Sequence, residues 1–351
     1  MEIKTIHDVQ SFTALEKEWD CFLKSAKTAN VHLQYSWLKT WLDFLGDYKN
    51  TLLLVASDNG GIKGIAPLYT DIIYLKGIIP YRQIKFIGDG LSDWGDFIVN
   101  DDTTDLINDF FRTISALSWG EIILHNLPYN SPILGYLKTS NIPGLKIKKS
   151  TECYYIDFQG LTREEYFKKS VSHKFVVRDL NRIYNHLKNH QWNFGIVENK
   201  DILSELDVFA KMHDQSQIRK KRNFLILESS SIFNFYRNAL NRLNKSGDLK
   251  VFYLNIEGEI AAQMITFYYN NSLYWWNTGF SQKFSKFSPS KVLLNEVINF
   301  CFDNNINQFN FMRGDSDYKK KWTKTFTNNY QVRILSNKGI YKFLNSFRNI
   351  E

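Results

Sequence analysis

Apolar residues recur at helical spacing over residues 8–27 and again over 35–46, where Tyr35, Trp37, Leu38, Trp41, Leu42 and Leu45 can share one helix face. The pattern then changes. Leu52 to Ala56 is a continuous apolar run, Asp58-Asn59-Gly60-Gly61 carries strong turn chemistry, and Ile62 to Tyr69 is apolar again, so the stretch predicts a β-hairpin. Further strands are expected at 83–88, 95–99 and 120–124, with a helix over 104–118 between the last two. Residues 130–158 predict a short helix and two strands, broken at Asn141-Ile142-Pro143-Gly144.

From Thr162 the composition shifts. Residues 162–190 read as helical and basic, with Lys168, Lys169, His173, Lys174, Arg178, Arg182, His186 and Lys188. Helices at 201–216 and 229–244 enclose Arg219-Lys220-Lys221-Arg222, which reads as a surface loop. A second hairpin follows at 249–256 and 259–269, turning at Glu257-Gly258. Then come an aromatic strand from Leu273 to Gly279, a loop at Ser288-Pro289-Ser290, a helix over 291–303 and a strand at 306–311. Gly61-Ile62-Lys63-Gly64-Ile65-Ala66 parallels Gly258-Glu259-Ile260-Ala261-Ala262-Gln263, each after an apolar strand. That repeat hints at duplication, with a boundary near 150–165.

Length agrees, since 351 residues exceed one ordinary core and favour two domains or fused repeats. Aromatic residues make up 16% of the chain, so most must be core and no single ring marks a ligand platform. With only 6 Pro, 18 Gly and no low-complexity tract, disorder is not expected. The formal net charge of +8 favours an anionic partner, whether nucleotide, phosphorylated lipid or sugar, RNA or membrane surface, without choosing among them. Cys21, Cys153 and Cys301 are odd in number, far apart and lack metal spacing, which points to a reducing, cytoplasmic setting. No signal-peptide core and no spanning apolar run is seen, so a soluble protein is expected, with peripheral membrane contact left open. P-loop, HExxH, GxSxG and Cys/His metal patterns are absent from the sequence.

The densest chemistry lies at 309–322, where an apolar strand ends in Arg313-Gly314-Asp315 and an aromatic-basic segment, Tyr318 to Trp322, follows. Either the sheet aims these groups into a site, or a Gly-Asp turn leads into a solvated basic helix. Asp315 is a candidate general base or acceptor orienter, and equally a structural ion-pair partner of Arg313. Tyr318 can protonate a leaving thiolate or simply pack. His213, beside Asp214, is a base or a structural histidine. Arg178 and Arg182 share a helix face and can clamp a phosphate or remain solvated. Ser288 and Pro289 open a helix whose end, with Ser290 and Lys291, can meet phosphate or be an ordinary capped terminus. Asp93, Trp94 and Asp96 border a cleft or form a turn into a strand.

In order along the chain, Trp37-Leu38-Lys39-Thr40-Trp41, Gly64-Ile65-Ala66-Pro67-Leu68, the Ser172–Arg182 helix, Met212-His213-Asp214, Glu259-Ile260-Ala261, Gly279-Phe280 with Phe284, Ser288-Pro289-Ser290-Lys291 and Phe311-x-Arg313-Gly314-Asp315-x-x-Tyr318-Lys319-x-x-Trp322 resemble the FemAB-related, CelD/BcsL-type acyltransferases. The chain departs from that family at Ser290, where Gly is frequent, and at His213, which lacks a nearby Arg-Trp pair. The resemblance implies an α/β (α+β) fold of two tandem GNAT-like modules, each a mixed central sheet flanked by helices, at 1–160 and 161–351, with the active site in the second. It implies N- or O-acyl transfer from acyl-CoA, without a metal, to an amine or hydroxyl of a sugar, polysaccharide or cell-envelope precursor. Direct attack in a ternary complex is expected, because no Cys sits in a motif suited to a covalent intermediate. Alternatives are a FemAB-like aminoacyltransferase that uses aminoacyl-tRNA, favoured by the charge, and a non-catalytic polysaccharide-assembly module. In the acyltransferase reading Asp315, His213 and Tyr318 are catalytic. Arg313, Lys319, Trp322, Trp276, Arg178 and Arg182 bind substrate, and Ser288, Ser290 and Lys291 hold the donor.

Overall fold

The computed structural model describes residues 1–100, 103–197, 202–219, 221 and 225–348. A first strand, β1 (Glu2–Ile6), escapes sequence reading because it is short and mostly exposed. Two short helices, α1 (Val9–Ala14) and α2 (Glu16–Leu23), replace the single one expected over 8–27; Asp8 caps α1 by accepting from the Ser11 amide at 2.8 Å. Next, α3 (Tyr35–Phe44) buries Tyr35, Trp37, Leu38, Trp41 and Leu42, as its spacing predicts. The hairpin forms as β2 (Thr51–Asp58) and β3 (Gly61–Leu75), and β4 (Ile79–Phe86) turns back along β3. A two-residue β5 (Ile98–Val99), α4 (Thr104–Ser115), β6 (Glu121–Pro128), α5 (Pro132–Thr139) and one long strand, β7 (Leu145–Asp157), follow. Two strands were expected in the 130–158 region; β7 is the only one that starts there after α5.

The predicted basic helix is broken into pieces. A one-turn helix, α6 (Arg163–Glu165), begins with a reciprocal Thr162–Glu165 capping box, wide π-turns occupy 166–170 and 173–177, and α7 (Arg178–Leu187) completes the run. After β8 (Trp192–Ile196) come α8 (Ile202–Arg219) and α9 (Ser230–Ser246). In the basic loop between them Lys220 and Arg222 lie outside the described residues. The second hairpin is β9 (Leu249–Ile256) with β10 (Glu259–Tyr269), followed by β11 (Ser272–Phe280), α10 (Pro289–Asp303), β12 (Gln308–Arg313), α11 (Asp317–Trp322), β13 (Phe326–Leu335) and α12 (Gly339–Arg348).

These elements form two compact units, Met1–Thr151 with Thr327–Glu351, and Glu152–Phe326. The fold is α/β, a mixed sheet flanked by helices in each unit. In the first, the strand order is β1-β2-β3-β4-β6-β13, with β5 on β3, and only β4 and β6 run parallel. In the second, the order is β7-β12-β11-β10-β9-β8, and only β11 and β12 run parallel. The two orders correspond strand for strand, so the hairpin likeness seen in the sequence extends to the whole sheet. The sequence boundary at 160/161 runs the second module to residue 351, whereas the last strand of the first unit is β13, near the C-terminus. Each unit has its own apolar core. That of the second joins Leu180, Ile183 and Leu187 of α7 to Val292, Leu293 and Val297 of α10 and to Phe252, Met264 and Phe309 of the sheet.

Candidate active site

The parallel strands β11 and β12 are paired only where Ser272, Leu273 and Tyr274 face Gln308, Phe309 and Asn310. Beyond that point they part. The cause sits in β12: the Asn310 side-chain oxygen accepts the Met312 amide at 2.7 Å, and Met312 takes a left-handed φ of 58°. This bulge turns Arg313 onto Cys153 of β7 and away from β11.

A cleft of about 570 Å³ lies where the strands separate. One wall is β11, through Trp275, Asn277, Thr278 and Phe280, and another is the start of α10, through Ser288, Pro289, Ser290, Lys291 and Leu294. Tyr318 and Trp322 of α11 and Ser216 and Gln217 of α8 complete it. Gly279 explains how α8 reaches the strand: a Cβ there would meet Met212 Cβ at 3.1 Å, the His213 amide nitrogen at 3.2 Å and the Phe209 carbonyl oxygen at 3.3 Å.

The helix end at the cleft is not capped in the usual way. Ser288 is left-handed, with φ 47°, and its hydroxyl makes no capping bond; Pro289 follows as the first helical residue. The positive end of the α10 dipole therefore lies at the cleft without a capping bond from the Ser288 side chain, an arrangement that attracts a phosphate or another anion. Lys291 adds charge, but its ammonium is engaged by the Asp179 carboxylate and, at 3.2 Å, by the Phe175 carbonyl. That contact, and then the one from Arg182, hold the Asp179 carboxyl below its ordinary range.

Of the residues proposed from sequence, Ser288, Ser290, Lys291, Tyr318 and Trp322 line the cleft together. Tyr318 packs edge-on against Trp275, with ring centroids 5.5 Å apart. The other aromatic choice is displaced by one. Trp276 points to the opposite face of β11 and packs on Tyr236 at 4.6 Å and Phe209 at 5.8 Å, while its neighbour Trp275 lines the cleft. Lys319 is buried, and its ammonium donates to the carbonyls of Met312 at 3.2 Å and Arg313 at 2.8 Å. It ties α11 to the bulge. Asp315 is half exposed, paired with Lys320 at 2.5 Å, and does not line the cleft; neither does the half-buried Arg313. An ion pair of Asp315 does form, with Lys320.

His213 is fully buried. Its Nδ1 lies 2.8 Å from Asp214 Oδ1, and its Nε2 lies 2.9 Å from Gln217 Nε2. Asp214 also accepts the amides of Ile226 and Leu227 at 2.9 and 2.7 Å. With its carboxylate acting as acceptor throughout, His213 Nδ1 carries the proton and Nε2 accepts from Gln217. Sequence reading missed Gln217, although its position four residues after His213 puts both on one helix face. Arg178 and Arg182 do come together, with Lys174, Phe175, Asp179, Lys291 and Lys321, around a separate depression of about 530 Å³. Asp96 is buried instead of bordering a cleft; it accepts from Thr28 and Ser131 hydroxyls at 2.9 Å each. Among the described residues no group of three or more His, Cys, Asp or Glu is placed to hold a metal ion, and no helix is long and apolar enough to cross a membrane.

Residues 177–320, which run from α7 into α11 and include the side chains of the cleft other than Trp322, match the family model of the acetyltransferase (GNAT) domain. Among solved structures the chain is similar to FemX, at 13% identity over 98% of this chain and 100% of that one, with a TM-score of 0.67. It is similar to L-PGS from Bacillus licheniformis, at 16% identity, 98% and 97% coverage and a TM-score of 0.57. A conserved protein of unknown function from Bacteroides thetaiotaomicron shares 10% identity over 95% of this chain and 100% of that one, at a TM-score of 0.60. These likenesses establish the fold. No curated protein matches the chain.

Proposed function

We propose that the chain is an acyltransferase that binds acyl-CoA in the cleft between β11 and β12 and delivers the acyl group to an amine or hydroxyl of a sugar, polysaccharide or cell-envelope precursor. The observation that carries this reading is the parting of the two parallel strands directly beside the uncapped start of α10. Unpaired strand edge beyond Tyr274 offers backbone groups to the acyl arm, and the helix end suits the pyrophosphate. The residues present thus fit a CoA ester. The acceptor's lone pair attacks the thioester carbonyl carbon, the carbon–sulfur bond breaks, and the thiolate takes a proton. The proton lost by the acceptor leaves to solvent.

Among the described residues, Tyr318 and Lys291 are the titratable side chains that line the cleft. Lys291 is held by Asp179, so Tyr318 is the group placed to protonate the leaving thiolate. Trp322 and Trp275 exclude water. His213 acts through Gln217 and not on substrate, and Asp315 is given no part in the chemistry. Calorimetry with acetyl-CoA tests the reading, and the absence of binding by folded protein at millimolar ligand would overturn it. Once an acceptor is found, Tyr318→Phe is expected to lower kcat about 100-fold, read by thiol release, while Asp315→Asn stays within about twofold of the wild type; the reverse order would move the chemistry to Asp315.

A second reading keeps the fold and takes aminoacyl-tRNA as donor. It is favoured by the basic depression around Arg178 and Arg182. Strongly salt-dependent binding of tRNA would support it.

A further inference from the structure

The depression beside the cleft has a composition suited to one part of a nucleotide. Lys174, Arg178, Arg182, Lys291 and Lys321 surround it, against a single carboxylate, Asp179. That carboxylate is spent internally, accepting from Arg182 at 2.7 Å and from Lys291. Arg178 and Arg182 rise from the exposed side of α7, whose Leu180, Ile183 and Leu187 are buried. An aromatic ring sits among the cations. Phe175 is 50% exposed, with the ammonium groups of Lys321 and Lys174 at 4.9 and 5.4 Å from its ring centroid. Exposed aromatic surface ringed by cations is suited to a purine carrying a phosphate.

Lys291 lines both the depression and the cleft, so the first turn of α10 is their shared wall. A ligand whose acyl end lies between β11 and β12, and whose pyrophosphate meets that turn, would reach the depression with the group beyond the pyrophosphate. In a CoA ester that group is adenosine carrying a 3′-phosphate.

We propose that the depression lined by Phe175, Arg178, Arg182 and Lys321 binds the 3′-phosphorylated adenosine of the donor and makes the protein selective for CoA esters that carry that phosphate. The inference rests on the acyl-CoA reading above and commits to a mononucleotide end; a polynucleotide is the competing outcome.

The test compares acetyl-CoA with acetyl-dephospho-CoA, which lacks only the 3′-phosphate, by calorimetry. Wild-type protein is expected to prefer acetyl-CoA by about tenfold to a hundredfold, the range for hydrogen bonds to a charged group. In Arg178→Ala/Lys321→Ala, with folding verified by circular dichroism, that preference is expected to collapse, because acetyl-CoA falls to the level of its dephospho analogue. Equal wild-type affinity for the two esters overturns this inference and leaves the acyl-CoA reading standing. So does a variant that keeps the wild-type preference. Binding of neither ester overturns both. A short single-stranded RNA that displaces acetyl-CoA and binds more tightly assigns the depression to a polynucleotide, and also overturns the proposal.

Discussion

His213 shows how residue identity and residue role separate. Imidazole beside a carboxylate is a familiar pattern for a base, and the sequence displays it. The structure adds burial: the ring is enclosed, with Asp214 on one nitrogen and Gln217 on the other. Asp96 makes the same point with a measurable consequence. Its carboxyl is buried, receives two hydroxyls and the Phe97 amide at 2.8 Å, and is pushed up to about 7, burial outweighing the hydrogen bonds that oppose it. A carboxyl raised in the folded state holds its proton more tightly there than in the unfolded chain. The associated stability is complete below the unfolded carboxyl range near pH 4 and is lost as pH rises through 7. The unfolding free energy of the wild type, from urea melts, is therefore expected to fall between pH 4 and pH 8 by the order of 1–4 kcal/mol, and Asp96→Asn is expected to flatten that slope. Parallel profiles for the two proteins would show that Asp96 titrates as an ordinary exposed carboxyl.

At the scale of elements, strongly patterned segments were readable and weakly patterned ones were not. The hairpins β2–β3 and β9–β10 announce themselves through Gly60-Gly61 and Glu257-Gly258, and α10 follows from Pro289 and its apolar face. By contrast, β1 and β8 end their sheets, have one neighbour each and are partly exposed, so their composition carries little signal. β13 alternates polar and apolar positions, and α12 follows it outside any predicted element. The cleft depends on a packing detail of this kind, the approach of α8 to Gly279. Gly279→Val is expected to destabilise the protein by about 1–3 kcal/mol through forced displacement of α8, read as a lower urea midpoint, and to weaken acetyl-CoA binding, because Ser216 and Gln217 move with that helix. Unchanged stability would mean that α8 yields without cost.

For the whole molecule, the two units repeat one strand order, and each has one short parallel pair. In the first unit β4 and β6 pair only at Gln83–Glu121 and Ile84–Ile122, so they too part. The segment between β4 and β5 is tied to β6 and α3: the Gly95 amide donates to the Asn126 carbonyl at 3.2 Å, the Asn126 side chain donates to the Ser92 carbonyl at 3.0 Å, and Trp37 donates to the Ser92 hydroxyl at 3.0 Å. One acetyl-CoA per chain is the expected calorimetric stoichiometry, and two equivalent sites would show that the segment near Ser92 opens.

From sequence alone came the existence of two related modules, most of the helices and strands between residues 35 and 311, and the grouping of Ser288, Lys291, Tyr318 and Trp322, which line one cleft. Those follow from local rules, namely turn chemistry, period and the order of motifs. Which of two adjacent tryptophans faces the cleft, why Lys319 and His213 turn inward, how Arg178 and Lys321 come to line one depression, and which late strand completes the first unit were settled by tertiary structure. Strand parity, a bulge at Met312 and burial are set by contacts between residues distant in the chain, and no local pattern encodes them.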